Sequence, residues 1–136
     1  MSKEMPIVLI IDDDPGVLFL HEIIVTESSL HENPLTFSSA EEALVHLHRL
    51  DFISNRFLIF LDINMPTMNG WQFLEQLEKQ INHADIKVVM VTSSLSRAER
   101  EKSKTYSLVI DFWEKPMEEE QVYQLIDRLG SWLKKG

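Results

Sequence analysis

The feature that most constrains the fold is a strict alternation of short apolar runs with longer amphipathic segments, repeated five times. The first run, residues 7–11, is continuous and rich in β-branched residues, as in a strand buried on both faces. Asp14-Pro15 follows it, with Asp suited to cap a helix and Pro suited to its first position. The alternation predicts five β-α units, with the later strands at residues 35–37, 57–61, 86–91 and 108–113.

Five β-α units predict a parallel sheet with helices on both faces, because right-handed crossovers place the helices there. For five strands the expected fold is α/β and flavodoxin-like, a doubly wound (βα)5 sheet with strand order 2-1-3-4-5. Capping-box patterns at 39–42 and 96–99 mark the starts of the second and fourth helices. The last helix is expected to carry apolar residues inward as far as Leu133. Residues 1–136 are predicted to form one domain, with no output domain among them.

Composition narrows the classes of function. The net charge of −9 argues against nucleic acid as a direct partner, since phosphate binding needs clustered Lys and Arg. The absence of cysteine excludes thiol catalysis, disulfides and cysteine-based zinc sites. Residues 1–6 lack a signal-peptide pattern, and the run at 7–11 is too short to span a bilayer. We therefore expect a cytoplasmic protein that does not insert into membranes.

Polar residues follow four of the predicted strands. The carboxyl ends of parallel strands share one edge of the sheet, where ligands bind. Strands one and three are neighbours in the predicted order, so the acids that follow them should converge. Oxygen ligands without His or Cys favour Mg²⁺ or Mn²⁺ over zinc. The four strand ends carry Asp12-Asp13, Asp62, Thr92 and Lys115.

This set of residue types suits phosphoryl chemistry. A carboxylate can act as the nucleophile and form an aspartyl phosphate. Phosphoryl transfer depends mainly on positioning and charge neutralisation. Lys115 would supply a positive charge, and the Thr92 hydroxyl would donate a hydrogen bond to a phosphate oxygen.

The order of these motifs resembles the receiver domain of two-component response regulators, from Ile7 to about Leu133. The resemblance rests on Asp12-Asp13, the string DINMPTMNG that begins at Asp62, Thr92-Ser93 and Lys115-Pro116. It implies that Asp62 accepts a phosphoryl group from a phosphohistidine on a sensor histidine kinase or phosphotransfer protein. The protein would catalyse at most its own phosphorylation and dephosphorylation.

The resemblance also implies the remaining roles. Lys115 would pair with the phosphate, Thr92 would move toward it, and Phe112 would be the aromatic switch that turns inward. The bond between Lys115 and Pro116 is often cis in this family. The expected metal ligands are Asp12, Asp13, Asp62 and the backbone carbonyl of Asn64.

The chain departs from the family pattern near its predicted output surface, which comprises the fourth helix, fifth strand and fifth helix. Leu108-Val109 stand where Gly-Ala is common, Ser93 replaces a smaller residue, and Met117 replaces a frequent Phe. The resemblance implies that an unknown downstream protein docks on this surface. A phosphorylation-linked homodimer could form there as well.

Other interpretations stay open from the sequence. A metal-dependent phosphohydrolase of the haloacid-dehalogenase type needs a second acid two residues after the nucleophile, where this chain has Asn64; Asp14 follows Asp12 at that spacing but is expected to be a cap. A degenerate receiver would bind a partner without being phosphorylated. Phe112 could be plain core. The five histidines are interpreted as incidental, and the polar face of the fourth helix as solvated.

Overall fold

A computed structural model describes residues 5–93 and 96–134 of the chain. The strands are β1 (Ile7–Ile11), β2 (Leu35–Phe37), β3 (Arg56–Leu61), β4 (Asp85–Thr92) and β5 (Val109–Glu114). The helices are α1 (Pro15–Glu27), α2 (Ala40–Arg49), α3 (Gly70–Gln80), α4 (Arg97–Ser103), α5 (Glu119–Leu129) and α6 (Ser131–Lys134). Residues 1–4, on which the targeting prediction partly rests, lie outside the described residues.

The strands form one parallel sheet in the order β2-β1-β3-β4-β5. The predicted α/β, flavodoxin-like fold is therefore confirmed. β1 and β3 lie in the interior of the sheet, which explains why residues 7–11 and 57–61 are continuously apolar. Among the described residues, no helix combines the length and the apolar character that crossing a bilayer requires.

The core consists of two apolar clusters, one on each face of the sheet. β3 contributes to both because its side chains alternate between the faces. Phe57, Ile59 and Leu61 join the cluster that includes α2 and α3. Leu58 and Phe60 join the cluster that includes residues of α1 and α5. Burial on both faces fixes the register of β3 and thus the position of the residue that follows it.

The last helix differs from its prediction. It ends at Leu129, because Gly130 takes φ 49°, a left-handed conformation that favours glycine. A separate short helix, α6, then carries Leu133, which is still buried. Trp132 anchors α6 to the start of β4, since its indole nitrogen Nε1 donates to Asp85 Oδ2 at 2.8 Å. The apolar spacing alone did not reveal this break.

Candidate functional site

The strand ends bring three carboxylates together at one edge of the sheet. β1 and β3 pair with Ile11 opposite Leu61, and the Asp62 N–H donates to the Ile11 carbonyl at 3.0 Å. The residues that follow each strand are therefore side by side. One carboxylate oxygen from each of Asp12, Asp13 and Asp62 lies within 4.8 Å of the other two. Asp12 and Asp62 are buried, whereas Asp13 is exposed.

The loop after β3 is fixed by the close approach of α3. The Gly70 N–H donates to the Ile63 carbonyl at 2.8 Å. A Cβ at position 70 would lie 2.6 Å from the Asp62 carbonyl oxygen and 2.9 Å from the Ile63 Cα, so only glycine fits. Reciprocal side-chain caps between Asn69 and Gln72 start α3 at this point. The backbone of Asp62 is thus held by the helix that follows it.

Lys115 supplies the cation of the site. Its ammonium Nζ lies 2.8 Å from Asp12 Oδ2 and 3.2 Å from Asp62 Oδ1. The Lys115 backbone N–H donates to the Thr92 carbonyl at 2.7 Å, which ties the end of β5 to the end of β4. Burial alone would lower the pKa of Lys115, but its hydrogen bonds and ion pairs with Asp12 and Asp62 outweigh that effect and raise the pKa. The lysine is therefore charged at neutral pH.

The pKa of the Asp62 carboxyl group is higher than that of an ordinary aspartate. Burial raises its pKa, and the negative charges of Asp12 and Asp13 raise it further. Lys115 offsets part of this, and the pKa of Asp62 settles at about 6 instead of 3.8. At neutral pH Asp62 is ionised. It pairs with Lys115, but it also lies beside the negative charges of Asp12 and Asp13. A cation among the three carboxylates would lower the energy of that state.

Two of the three carboxylates, Asp13 and Asp62, face an open cavity of about 460 Å³. Its lining includes Asp13, Asp62, Asn64, Ser93 and Lys115. Solvent can therefore reach Asp13, Asp62 and Lys115 through this cavity. An all-oxygen donor set with room beside it fits Mg²⁺, which usually takes one or two carboxylates and keeps several waters.

The other predicted site residues differ in their position relative to this cavity. Thr92 is fully buried at the end of β4 and is not among the cavity's lining residues. Phe112 is buried, with the Arg100 guanidinium 5.4 Å from its ring centre. Asp14 is a helix cap, as predicted, because its Oδ1 accepts from Gly16 N–H at 2.8 Å. The bond between Lys115 and Pro116 is cis, as the resemblance implied.

One buried polar residue near the site was not singled out from the sequence. His21, interpreted as incidental, is 1% exposed on α1. Its Nε2 accepts a hydrogen bond from the Met117 backbone N–H at 3.1 Å. Its position four residues before Val25, which is also buried, places it on the inward face of α1 and could have indicated its burial. Burial lowers the pKa of His21 to about 4, with Lys115 adding to the effect and Asp12 opposing it.

Comparison with known proteins gives one consistent result. The family model described as the response regulator receiver domain matches residues 8–127. The chain belongs to the response regulator receiver domain family. Receiver domains are the modules of two-component signalling that interact with histidine kinases or phosphotransfer proteins, and Mg²⁺-dependent phosphoryl transfer is general to the family.

Individual relatives agree with this assignment. The chain is 30% identical over 129 residues to a two-component response regulator of Arabidopsis thaliana, covering 95% of the chain and 87% of the relative. It is 34% identical over 95 residues to a probable C4-dicarboxylate response regulator of Halalkalibacterium halodurans, covering 69% of the chain and 39% of that protein. The chain thus spans less than half the length of this second relative.

Solved receiver structures share the fold. A two-component response regulator from Cytophaga hutchinsonii superposes with a TM-score of 0.79 at 26% identity, covering 93% of this chain and 97% of that one. A response regulator receiver protein from Dyadobacter fermentans gives a TM-score of 0.77 at 26% identity, covering 89% and 94%.

Proposed function

We propose that this receiver stores a phosphoryl group on Asp62 as a signal, taking it from a phosphohistidine of a sensor histidine kinase or phosphotransfer protein. One observation carries the proposal. One oxygen from each of three carboxylates lies within 4.8 Å of the others beside an open cavity, and the Lys115 ammonium lies 3.2 Å from the Asp62 carboxylate. An ion-pair cluster that only stabilises the fold seldom holds three carboxylates and one lysine. The excess negative charge indicates a site that binds a cation, and the lysine beside it indicates room for an anion.

The proposed transfer is a displacement at phosphorus. An Asp62 carboxylate oxygen attacks, the bond between phosphorus and the histidine nitrogen breaks, and the imidazole leaves. Lys115 and Thr92 would neutralise and hold the phosphoryl oxygens. Hydrolysis of the acyl phosphate by water returns the carboxylate and releases inorganic phosphate. Asp62 therefore carries a reversible state and does not turn over a separate substrate.

The divalent ion, Mg²⁺ or Mn²⁺, would be held by Asp12, Asp13, Asp62 and the Asn64 backbone carbonyl. When bound, it would offset the negative charge of the carboxylates and of the incoming phosphoryl group. Asp13 is the exposed member of the cluster and is free of the ion pair that Lys115 makes with Asp12. We therefore expect Asp13 to contribute most directly to metal binding.

The phosphohydrolase alternative is weaker. It needs a general acid two residues beyond the nucleophile, and the side chain there is the amide of Asn64. Asp14, two residues beyond Asp12, is committed to capping α1. A degenerate receiver is also disfavoured, since Asp62, Thr92 and Lys115 are all retained.

The signal is proposed to leave through the surface formed by α4, β5 and α5. Phe112 lies on β5 beneath Arg100 of α4, so movement of Thr92 and Phe112 would alter this surface. A downstream protein, or a second copy of the chain, would dock there. We further propose that the 136 residues constitute one receiver domain that acts in the cytoplasm.

The test uses acetyl phosphate and Mg²⁺, with uptake of a phosphoryl group followed by intact-protein mass spectrometry. The wild-type chain should gain one phosphoryl group, and chelation of the metal should prevent it. Asp62→Asn should gain none, whereas Asp127→Asn, an exposed aspartate on α5, should behave as wild type. Unchanged phosphate incorporation in Asp62→Asn would overturn the proposal.

A further inference from the structure

His21 joins two segments that are distant in the sequence. It projects from the middle of α1, whereas its partner Met117 lies in the loop between β5 and α5. Both residues are 1% exposed. Because the Met117 N–H is buried, it needs an acceptor, and His21 Nε2 provides one at 3.1 Å. The contact therefore fastens this loop to α1.

The loop that His21 fastens carries the lysine of the site. Lys115 lies two residues before Met117, and its own N–H is held on the other side by the Thr92 carbonyl at 2.7 Å. The short segment is thus fixed at both ends, by β4 and by α1. The same segment carries the Lys115 side chain, whose ammonium lies against Asp12 and Asp62.

The ring of His21 suits this purpose in its neutral form. A neutral imidazole has one nitrogen that accepts, and protonation would remove that acceptor. Burial and the neighbouring Lys115 ammonium favour the neutral ring, while the Asp12 carboxylate opposes them. The ring therefore presents an acceptor to Met117 at neutral pH without adding a second cation beside Lys115.

We propose that His21 is a positioning residue for phosphoryl transfer: by holding the Met117 N–H, it sets the place of the Lys115 ammonium relative to Asp62. The inference rests on the proposed function, since Lys115 matters through its contact with the phosphoryl group. A displacement of about 1 Å in a group that stabilises the transition state can reduce a rate up to about a hundredfold. Loss of the His21 acceptor is expected to act through such a displacement.

Two amide substitutions provide a matched pair. In His21→Gln the amide oxygen can reach the place of Nε2, whereas in His21→Asn the side chain is one carbon shorter and does not reach the Met117 N–H. The initial rate of phosphorylation by acetyl phosphate at saturating Mg²⁺ should fall about tenfold or more in His21→Asn. His21→Gln should restore most of that loss. Equal rates in the two variants would overturn the proposal.

A second background separates positioning from a general structural role. Lys115→Ala removes the group through which His21 is proposed to act. In that background His21→Asn should change the phosphorylation rate less than about twofold, although it should still lower thermal stability. The same fold loss in both backgrounds would show that His21 only supports the fold and would refute the positioning role.

A readout that does not depend on phosphorylation keeps the two proposals distinguishable. Amide hydrogen exchange at Met117 and the ¹⁵N NMR signal of the Lys115 ammonium are measured in the wild type and both His21 variants. His21→Asn should expose the Met117 amide and shift the Lys115 signal, and His21→Gln should preserve both. If the wild type takes up no phosphate, the proposed function fails, yet an unmoved Lys115 signal in His21→Asn is still what overturns the positioning claim.

Discussion

Asp62→Asn should stabilise the metal-free protein, although it removes the proposed phosphoryl acceptor. The side chain of Asp62 is 4% exposed, and burial together with the neighbouring charge of Asp12 raises its pKa from 3.8 to about 6. Each unit corresponds to about 1.4 kcal/mol. Ionised Asp62 therefore costs the native state up to about 3 kcal/mol at pH 8, with the attraction of Lys115 already included. An asparagine, which has nearly the same shape, avoids that cost.

Urea unfolding followed by circular dichroism measures this effect in EDTA at pH 8. We expect a gain of about 1 to 3 kcal/mol in the free energy of unfolding. The stabilising contribution of protonated Asp62 is complete below pH 3.8 and is lost as the pH rises through about 6, so the gain should vanish near pH 4.

Two controls make the Asp62→Asn result decisive. Saturating Mg²⁺ stabilises the wild type by mass action, so it should shrink or reverse the advantage of the variant. Asp127→Asn, on the exposed face of α5, should change stability by less than about 0.5 kcal/mol. If Asp62→Asn is less stable than wild type in EDTA at pH 8, the electrostatic reasoning for the site is wrong.

Three further predictions concern the same edge of the sheet. Gly70→Ala should cost roughly 2 to 4 kcal/mol in urea unfolding and slow phosphorylation, because its Cβ would meet the Asp62 backbone; wild-type stability would contradict the packing account. In EDTA, Asp12→Ala should lose roughly 1 to 3 kcal/mol, since Asp12 accepts from a lysine and a backbone N–H, whereas exposed Asp13→Ala should be neutral or stabilising; a reversed order would refute this distinction. The stabilising contribution of neutral His21 is complete above pH 6.5 and is lost as the pH falls through about 4. Acidification over this range should therefore lower the free energy of unfolding of the wild type by about 3 kcal/mol more than that of His21→Gln. Parallel pH profiles for these two proteins would contradict the burial account.

The sequence predicted the edge of the sheet well because two simple signals coincide there. β1 is apolar throughout and β3 is apolar from Phe57 onward, since each is buried on both faces, and the first polar residue after each apolar run marks the strand end. Parallel pairing then places Asp12 and Asp62 together without any knowledge of side-chain contacts. The helix cap at Asp14 was also predictable, because capping depends only on the local sequence at the start of α1.

Contacts that depend on side-chain reach were not predictable. The polar face of α4 was expected to be solvated, and Lys102 is exposed and Arg100 half-buried, but these side chains also lie over the rings of Trp71 and Phe112. In both contacts the charged end of the side chain lies over the face of an aromatic ring, a cation–π contact that apolar periodicity does not indicate. His21 was missed because its partner is a backbone N–H 96 residues away. No local pattern indicates that kind of contact.

The most direct test of the account is to locate the phosphoryl group. The chain is phosphorylated with acetyl phosphate and Mg²⁺, reduced with borohydride, which converts an aspartyl phosphate to homoserine, and mapped by peptide mass spectrometry. The account predicts homoserine at position 62 alone, and none when the metal is chelated. Modification at Asp12 or Asp13 in place of Asp62, or labelling that does not depend on the metal, would contradict it.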